Sequence, residues 1–473
     1  MEFRLIAPEL ILAGLGLSLV TLGAVVKKNS RALAVVGVVG SLAALAVVLA
    51  NFGLTQDLFS NQLRHDAYAS FFKVVFLVIL ILLFTGSAQY VRDRRMPAGE
   101  FYALTTLATL GGFLMAGSLD LITIFLGLEL LSIASYALAG LLKGDPRSQE
   151  ASIKFFLVGA LTTAVILFGI SLLYGLAGTT SLTGIAAAVA GLSSAEFPLL
   201  AAAGLFLLAG LGVKIAAVPF HMWAPDTYDG APTPVSAFLI TASEAAAFAV
   251  LLRLFAVALP SLAERWQLIL GLMALVTMTY GNVTAILQTR TKRMLAYSAI
   301  AQAGYVLVGL AVASPSGVSA VLYYVLVYAL MTVGAFTVVL LLAGESLGEE
   351  IADFNGLSRR SPLVALMVTI LMLSLIGIPP TAGFFGKLLL YRAAVDSGMV
   401  WLGLATVLNG VVSVPYYYRI VRNMYLEQGT TTAALTPTVP IAIVLILAVG
   451  GTLLLGIVPE PLARVVAAIS LTP

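Results

Sequence analysis

From Leu5 almost to the carboxyl terminus the chain is a series of apolar runs, each close to twenty residues long and separated by short polar stretches. A run of about 20 apolar residues spans the roughly 30 Å hydrocarbon layer of a bilayer as an α-helix. Inside that layer each backbone amide must be satisfied within the protein, so open sheets and irregular coil are excluded and a helix bundle remains. Of 473 residues 60% are hydrophobic and 10% charged, with a mean hydropathy of +1.06, whereas soluble chains carry about 25% charged residues. The fold class that follows is an all-α polytopic membrane protein.

Counting the runs gives about fourteen spans, near 5–26, 32–52, 69–91, 100–117, 119–142, 149–175, 197–219, 234–257, 267–289, 294–313, 317–343, 362–391, 399–422 and 438–458. The first is too long for the core of a signal peptide and reads as a retained span. With the amino terminus outside, one face collects Lys27, Lys28, Arg31, Arg92, Arg94, Arg95, Lys143, Arg147, Arg290, Lys292, Arg293, Arg359, Arg360, Arg419 and Arg422, against Arg4, Arg64, Lys73, Arg265 and Arg464 on the other. That bias makes the crowded face cytoplasmic. The expectation is a multi-pass protein of a bacterial-type inner (plasma) membrane with both termini on the outer side.

The chain has no cysteine and only two histidines, far apart, so thiolate clusters and a metal centre are not expected, nor is a redox cofactor of its own. The net charge of +3 comes mostly from loops and reports topology, not affinity for nucleic acid.

Removing loop charges leaves Glu129, Lys154, Lys214, Glu244, Arg253, Lys387 and Arg392 within spans. A charge at the centre of a membrane helix costs from about 2.5 kcal/mol upward on insertion scales, so each needs a partner, water or a function. Lys214 precedes Pro219, whose ring clashes with the carbonyl of Ile215 and breaks the helix. Lys387 follows Pro379 and Pro380 within two turns. Such breaks at membrane depth line a cavity or are buried in protein. Two broken spans, the seventh and twelfth, lie five apart, the pattern of two inverted five-helix units in spans 4–8 and 9–13. The chain then divides into 1–99, 100–257, 258–424 and 425–473.

Glu129 has no charged neighbour along its own helix, which makes Lys214 its natural partner across helices. Lys154 follows Glu150 by four residues, and a solvated surface pair competes with a functional role. Arg253 and Arg392 lie near the outer ends of their spans and are expected to snorkel. His221 stands two turns after Lys214 and either passes protons toward it or caps a loop. His65, beside Asp66, reads as surface. The loop after His221, with Asp226, Asp229 and three prolines, reads as a stiff structural turn because one loop supplies too few oxygens for a hard metal.

The stretch GVKIAAVPFHMWAPDTYDGAPTPVSAFL with TASEAAAFAVLLRLF, the earlier FLGLELLSIASYAL and the later TKRMLAYSAIAQAGY resemble the antiporter-like membrane subunits of respiratory complex I, NADH:quinone oxidoreductase, over essentially the whole chain. These subunits are related to those of multisubunit cation/proton antiporters. The resemblance implies fourteen helices, inverted repeats, and a proton-translocating role beside neighbouring antiporter-like subunits. It implies that this chain binds no cofactor, while NADH, FMN, iron–sulfur clusters and quinone serve the host complex through its peripheral arm. By position it assigns a proton relay to Glu129, Lys154, Lys214, His221 and Lys387. Where the family usually carries a lysine in the eighth helix, this chain has Glu244. That residue either bridges the two half-channels as a carboxyl proton carrier or neutralises a cation such as Lys214. The rival readings are a stand-alone cation/proton antiporter-type transporter and a structural spacer.

Overall fold

The computed structural model describes residues 2–25, 30–260, 263–345, 347–429 and 433–471; Lys27 and Lys28, counted above among the cytoplasmic cations, lie outside them. The main helices are α1 (Ala7–Val25), α2 (Ser30–Ala50), α3 (Ala67–Asp93), α4 (Ala98–Gly117), α5 (Leu121–Ala139), α6 (Pro146–Ala177), α7 (Phe197–Lys214), α8 (Thr233–Ala258), α9 (Ala263–Ile286), α10 (Thr291–Ala311), α11 (Pro315–Ala343), α12 (Pro362–Ile376), α13 (Ala382–Asp396), α14 (Val400–Leu426) and α15 (Val439–Ile457). Among the described residues, twelve helices are long and apolar enough to cross a membrane by length and composition. The other two runs counted in the sequence fall on α4 and on the split pair α12 and α13. The protein is a multi-pass helical membrane protein.

Burial sorts the helices. Every residue in the most apolar stretch of α10 is buried, and nearly all are in α8 and α11, whereas only a third are in α1, α2, α6 and α15. The first set forms the centre of the bundle and the second leaves apolar faces exposed. Aspartates start several spans: Asp66, Asp120 and Asp145 accept from amides two or three residues on, at the heads of α3, α5 and α6. A hairpin of β1 (Gln56–Leu58) and β2 (Leu63–His65) follows α2, and its Leu63 bridges to Ser118 in the turn between α4 and α5.

Both expected breaks are present, with a different local cause. The chain leaves α7 at Lys214, five residues before the proline. Ala216 takes a left-handed φ of 50°, and the amides of Ala216 and Ala217 return to the carbonyls of Val213 and Gly212. This is a Schellman cap, so the helix is closed off before Pro219 could clash with it. The α12 end repeats the device: Gly377 has φ 95°, and the Ile378 amide returns to the Leu373 carbonyl. The stretch read as a stiff loop after His221 contains a short helix, Ala224–Gly230. Within α8, residues Leu239–Ser243 form a π turn directly before Glu244, the kind of helix irregularity that is common at functional sites.

Candidate functional site

Lys214, on the last turn of α7, is 7% exposed. Its ammonium donates to Ser132 Oγ at 2.8 Å and to Tyr136 OH at 3.2 Å, and lies 5.6 Å from the Tyr136 ring centre. Glu129, Ser132 and Tyr136 are spaced i, i+3 and i+7, so one face of α5 carries all three. Glu129 accepts from Thr163 Oγ1 on α6 at 2.7 Å. Glu129, the expected partner of Lys214, acts on the lysine through space, while hydroxyls hold each group separately. Tyr136 reaches the lysine because α6 has a glycine beneath it; a Cβ on Gly159 would lie 1.9 Å from the tyrosine oxygen. Phe155 meets the Tyr136 ring edge-on and stacks on Trp223, whose indole donates to the Val213 carbonyl at the end of α7.

Glu244 is 2% exposed, and its Oε1 accepts from Tyr228 OH at 2.9 Å. No ion pair reaches it among the described residues. A cavity of about 10 Å³, room for roughly one water, separates it from Tyr328 and is walled by Ala303, Val306 and Val325.

Lys387, 8% exposed, donates to the carbonyls of Leu375 and Ile376, both at 2.9 Å, and lies 4.2 Å from the Tyr305 ring centre. Those carbonyls are among the last of α12, freed by the break. From there a hydrogen-bonded path runs back toward the middle: Gln302 donates to Leu375 O at 3.4 Å and to Tyr417 OH, accepts from Tyr324 OH, and Tyr417 meets Ser298. Tyr324 stacks on Tyr328, which faces Glu244 across the small cavity. Ser132, Tyr136, Tyr228, Gln302, Tyr324 and Tyr328 went unnoticed in the sequence. The signal for the first two was the helical spacing from Glu129, and Gln302 lies inside the TKRMLAYSAIAQAGY stretch.

The remaining relay candidates, Lys154 and His221, sit near the start of α6 and in the segment after α7. Lys154 donates to Asp226 Oδ2 and pairs with Glu150, both at 2.7 Å, while Arg293 donates to Asp226 Oδ1 at 2.8 Å. The surface pair is therefore present and is extended to the short helix after His221. His221 is buried, packs edge-on against Tyr280 at 4.4 Å, and has no partner for Nδ1.

Other charges fall differently from expectation. Arg253 does not snorkel: it is 1% exposed, holds both oxygens of Asp66 at 2.9 and 2.8 Å, donates to Ala116 O and lies over Tyr68. An aspartate across the bundle made burial cheaper than a reach to water. Lys73, counted as an outer loop cation, is buried against Glu9 at 2.6 Å. His65 is buried at 1% exposure. Lys292, counted as a cytoplasmic loop cation, is buried and donates to Ala231 O at 2.7 Å. Arg392 is exposed beside Asp396, as snorkelling requires.

The family described as NADH:quinone oxidoreductase/Mrp antiporter, TM, matches residues 118–413. A NADH-quinone oxidoreductase subunit N from Trichlorobacter lovleyi is 42% identical over 97% of this chain and 95% of its own length. A F(420)H(2) dehydrogenase subunit N from Methanosarcina mazei is 40% identical over 97% of both chains. A chain of the respiratory complex I from Thermus thermophilus with bound Aureothin superposes with a TM-score of 0.82 at 33% identity, covering 97% of this chain and 99% of that one.

Proposed function

This chain belongs to the NADH:quinone oxidoreductase/Mrp antiporter membrane family, and from that premise we propose that it is the counterpart of subunit N in a respiratory NADH:quinone oxidoreductase and carries protons across the membrane. Its partners are then the other membrane subunits of that complex, and it sits in a bacterial-type cell membrane with both termini outside. NADH, FMN, iron–sulfur clusters and quinone act elsewhere in the complex. The name of the Methanosarcina relative fits a donor chosen outside this chain. The two breaks, with their matching caps, fit a division into two inverted five-helix units.

One observation carries the reading. Lys214, Glu244 and Lys387 are buried charges or potential charges held by neutral hydroxyls and carbonyls, with no ion pair to any of them among the described residues. A neutral hydroxyl can donate or accept, so these groups can gain or lose a proton without stranding an opposite charge. Uptake runs from the cytoplasmic end, past Lys154, Asp226 and His221, to Lys214. A nearby carboxylate favours a charged lysine, so a movement of α5 that takes Glu129 away favours release. The proton passes through water to Glu244, then by Tyr328, Tyr324 and Gln302 toward Lys387 and outward. The single-water cavity beside Glu244 is the closed form of that passage and has to widen for transfer.

Glu244→Gln tests this directly. The amide keeps the acceptor for Tyr228 but cannot carry a proton, so assembled complex in proteoliposomes should oxidise NADH and lose this chain's share of pumped protons. Unimpaired pumping per NADH would remove Glu244 from the path. The family also holds antiporter subunits, so co-purification decides the second reading: a lone chain driving Na⁺/H⁺ exchange without a redox complex would establish a stand-alone antiporter.

A further inference from the structure

A second group of buried polar atoms lies between α1, the end of α2, the hairpin and α3, at the end of the bundle that carries the amino terminus and apart from the axis just described. Glu9 pairs with Lys73 through Oε1 at 2.6 Å, and its Oε2 is buried without a partner. Asn51 donates its amide to Val47 O at 2.8 Å, which fixes the side-chain orientation and leaves Oδ1 buried and unpartnered. His65 Nε2 lies 3.0 Å from the Asn51 carbonyl. A carbonyl only accepts, so Nε2 carries the hydrogen and Nδ1, also buried and unpartnered, is a bare acceptor. All three residues are more than nine-tenths buried. Electrostatic contact links His65 to Lys73, Glu9 and Asp66.

Three buried acceptors without a hydrogen-bond partner, Glu9 Oε2, Asn51 Oδ1 and His65 Nδ1, form an arrangement that proteins rarely tolerate. Each orphan acceptor costs about 1–3 kcal/mol unless water or a ligand satisfies it. The missing partner must therefore donate. A metal cation or ammonium is disfavoured because the Lys73 ammonium already supplies the positive charge beside Glu9 and would repel a second. Water and a proton fit: water can donate to two acceptors, and a proton on Nδ1 converts one acceptor into a donor. An open cavity of about 400 Å³, lined in part by Phe52, Gly53, Arg64 and Asp66, brings solvent to the neighbouring residues.

We propose that this corner is a proton-binding site on the outer side of the membrane, in which His65 Nδ1 takes the proton and donates it through ordered water held by Asn51 Oδ1 toward the Glu9 Oε2 acceptor. The charged groups around it are Glu9 on α1, Lys73 on α3, Asp66 at the head of α3, Arg64 on β2 and Arg253 on α8, the last two beside Asp66. Burial lowers the imidazole below its ordinary pKa; the Asn51 carbonyl opposes this, the Lys73 charge adds to it, and Glu9 and Asp66 oppose it. The resting site is thus neutral and fills as the outer compartment acidifies. A bound proton draws Glu9 from Lys73, which changes the contact between α1 and α3. Through Asp66 and Arg253 the same region grips the outer end of the helix that bears Glu244.

The site rests on the proton-carrying reading only for its role and for which side is outer; its existence is read separately. Infrared difference spectra of the assembled complex, taken between about pH 8 and about pH 5, should contain paired imidazole and carboxyl bands that vanish in His65→Gln. Glu9→Gln leaves Lys73 buried and unpaired and can block assembly, so Glu9→Gln/Lys73→Met is made beside it; this variant should lose the carboxyl band and shift the imidazole titration. Spectra identical to wild type in both variants overturn the site. In proteoliposomes the dependence of pumping on outer pH should flatten in His65→Gln, and an unchanged profile overturns the role. If wild type itself fails to pump, the transport reading falls while the infrared result still decides the site.

Discussion

Gly159→Ala adds one methyl group and no charge, yet it should disable proton transfer at Lys214. The added Cβ would lie 1.9 Å from Tyr136 OH and 2.4 Å from its Cζ, where ordinary contact begins at 3.4 Å. The ring must therefore move by about 1.5 Å, the difference of the first and last of these figures, because α6 backbone cannot retreat without unseating α7. A shift of that size in any direction destroys a 3.2 Å bond. Overpacking costs about 1–3 kcal/mol, and a hydrogen bond to a charged group is worth about 1.5–3 kcal/mol. At 1.4 kcal/mol per tenfold, losing it changes the protonation balance of Lys214 by about 10- to 150-fold. The assay is proton uptake per NADH in proteoliposomes, with NADH oxidation by an artificial acceptor as the control that the redox arm is intact. Tyr136→Phe should reproduce the transport defect without the packing cost. Gly159→Ala in the Tyr136→Phe background should add little further loss of pumping, since the bond is already gone. Normal pumping by an assembled Gly159→Ala complex would refute the role given to Tyr136.

Asp66→Asn should lower the thermal stability of the membrane part markedly, since stripping one partner from a buried pair costs about 3–5 kcal/mol, whereas Asp66→Leu/Arg253→Met should be far milder because no charge is stranded; equal melting of the two variants would show that the pair is not what matters. Ser132→Asp places a carboxylate where Lys214 now finds a hydroxyl at 2.8 Å, so it should lock the lysine charged and stop pumping while stability, followed by melting, holds or rises. For Asp226 the balance of burial, which raises its pKa, and of Lys154 and Arg293, which lower it, leaves it below the usual carboxylate range. A depressed carboxyl contributes stability that is complete above the unfolded value of about 3.9 and is lost as pH falls through the folded value. Wild type and Asp226→Asn should therefore differ in melting by the same amount from about pH 5 to about pH 8 and converge only in stronger acid.

Span positions were legible because hydrocarbon demands one thing, length with apolarity, and that is written locally. The axis was legible for a related reason: Lys214, Glu244 and Lys387 break the apolar pattern where nothing along the same helix compensates. Their partners were not. Tyr136 and Ser132 meet Lys214 across a helix interface whose register depends on Gly159, and Gln302 meets the end of α12 only after the bundle has closed. The same blindness misplaced Arg253, Lys73 and His65. Each lies near a helix end, where water and a distant partner are equally plausible from sequence, and Asp66 and Glu9 are 187 and 64 residues from the cations they neutralise. Pro219 was read as the cause of a break that the left-handed Ala216 makes first. Cap geometry of that kind leaves no trace when the residue is alanine, whereas Gly377 at the matching place does.

The buried charges divide into two physical classes, and the division bears on function. Arg253 with Asp66, Arg290 with Asp229 and Arg360 with Glu345 are fastened by ion pairs near the ends of the bundle. Breaking such a pair costs about 3–5 kcal/mol, so these groups stay charged through any cycle and serve as fixed points. In the middle, Lys214, Glu244 and Lys387 have hydroxyl, phenol and carbonyl partners instead. A neutral partner loses about 1.5–3 kcal/mol when the charge leaves, a hydrogen bond and not a counter-ion. A departing proton can therefore be balanced by a modest movement of the helix that bears Glu129. Rigid ends and a soft centre are what a chain needs if small displacements of its helices are to be read as protonation. The carboxyl at Glu244 keeps this property because Tyr228 can serve it as donor when charged and as acceptor when protonated.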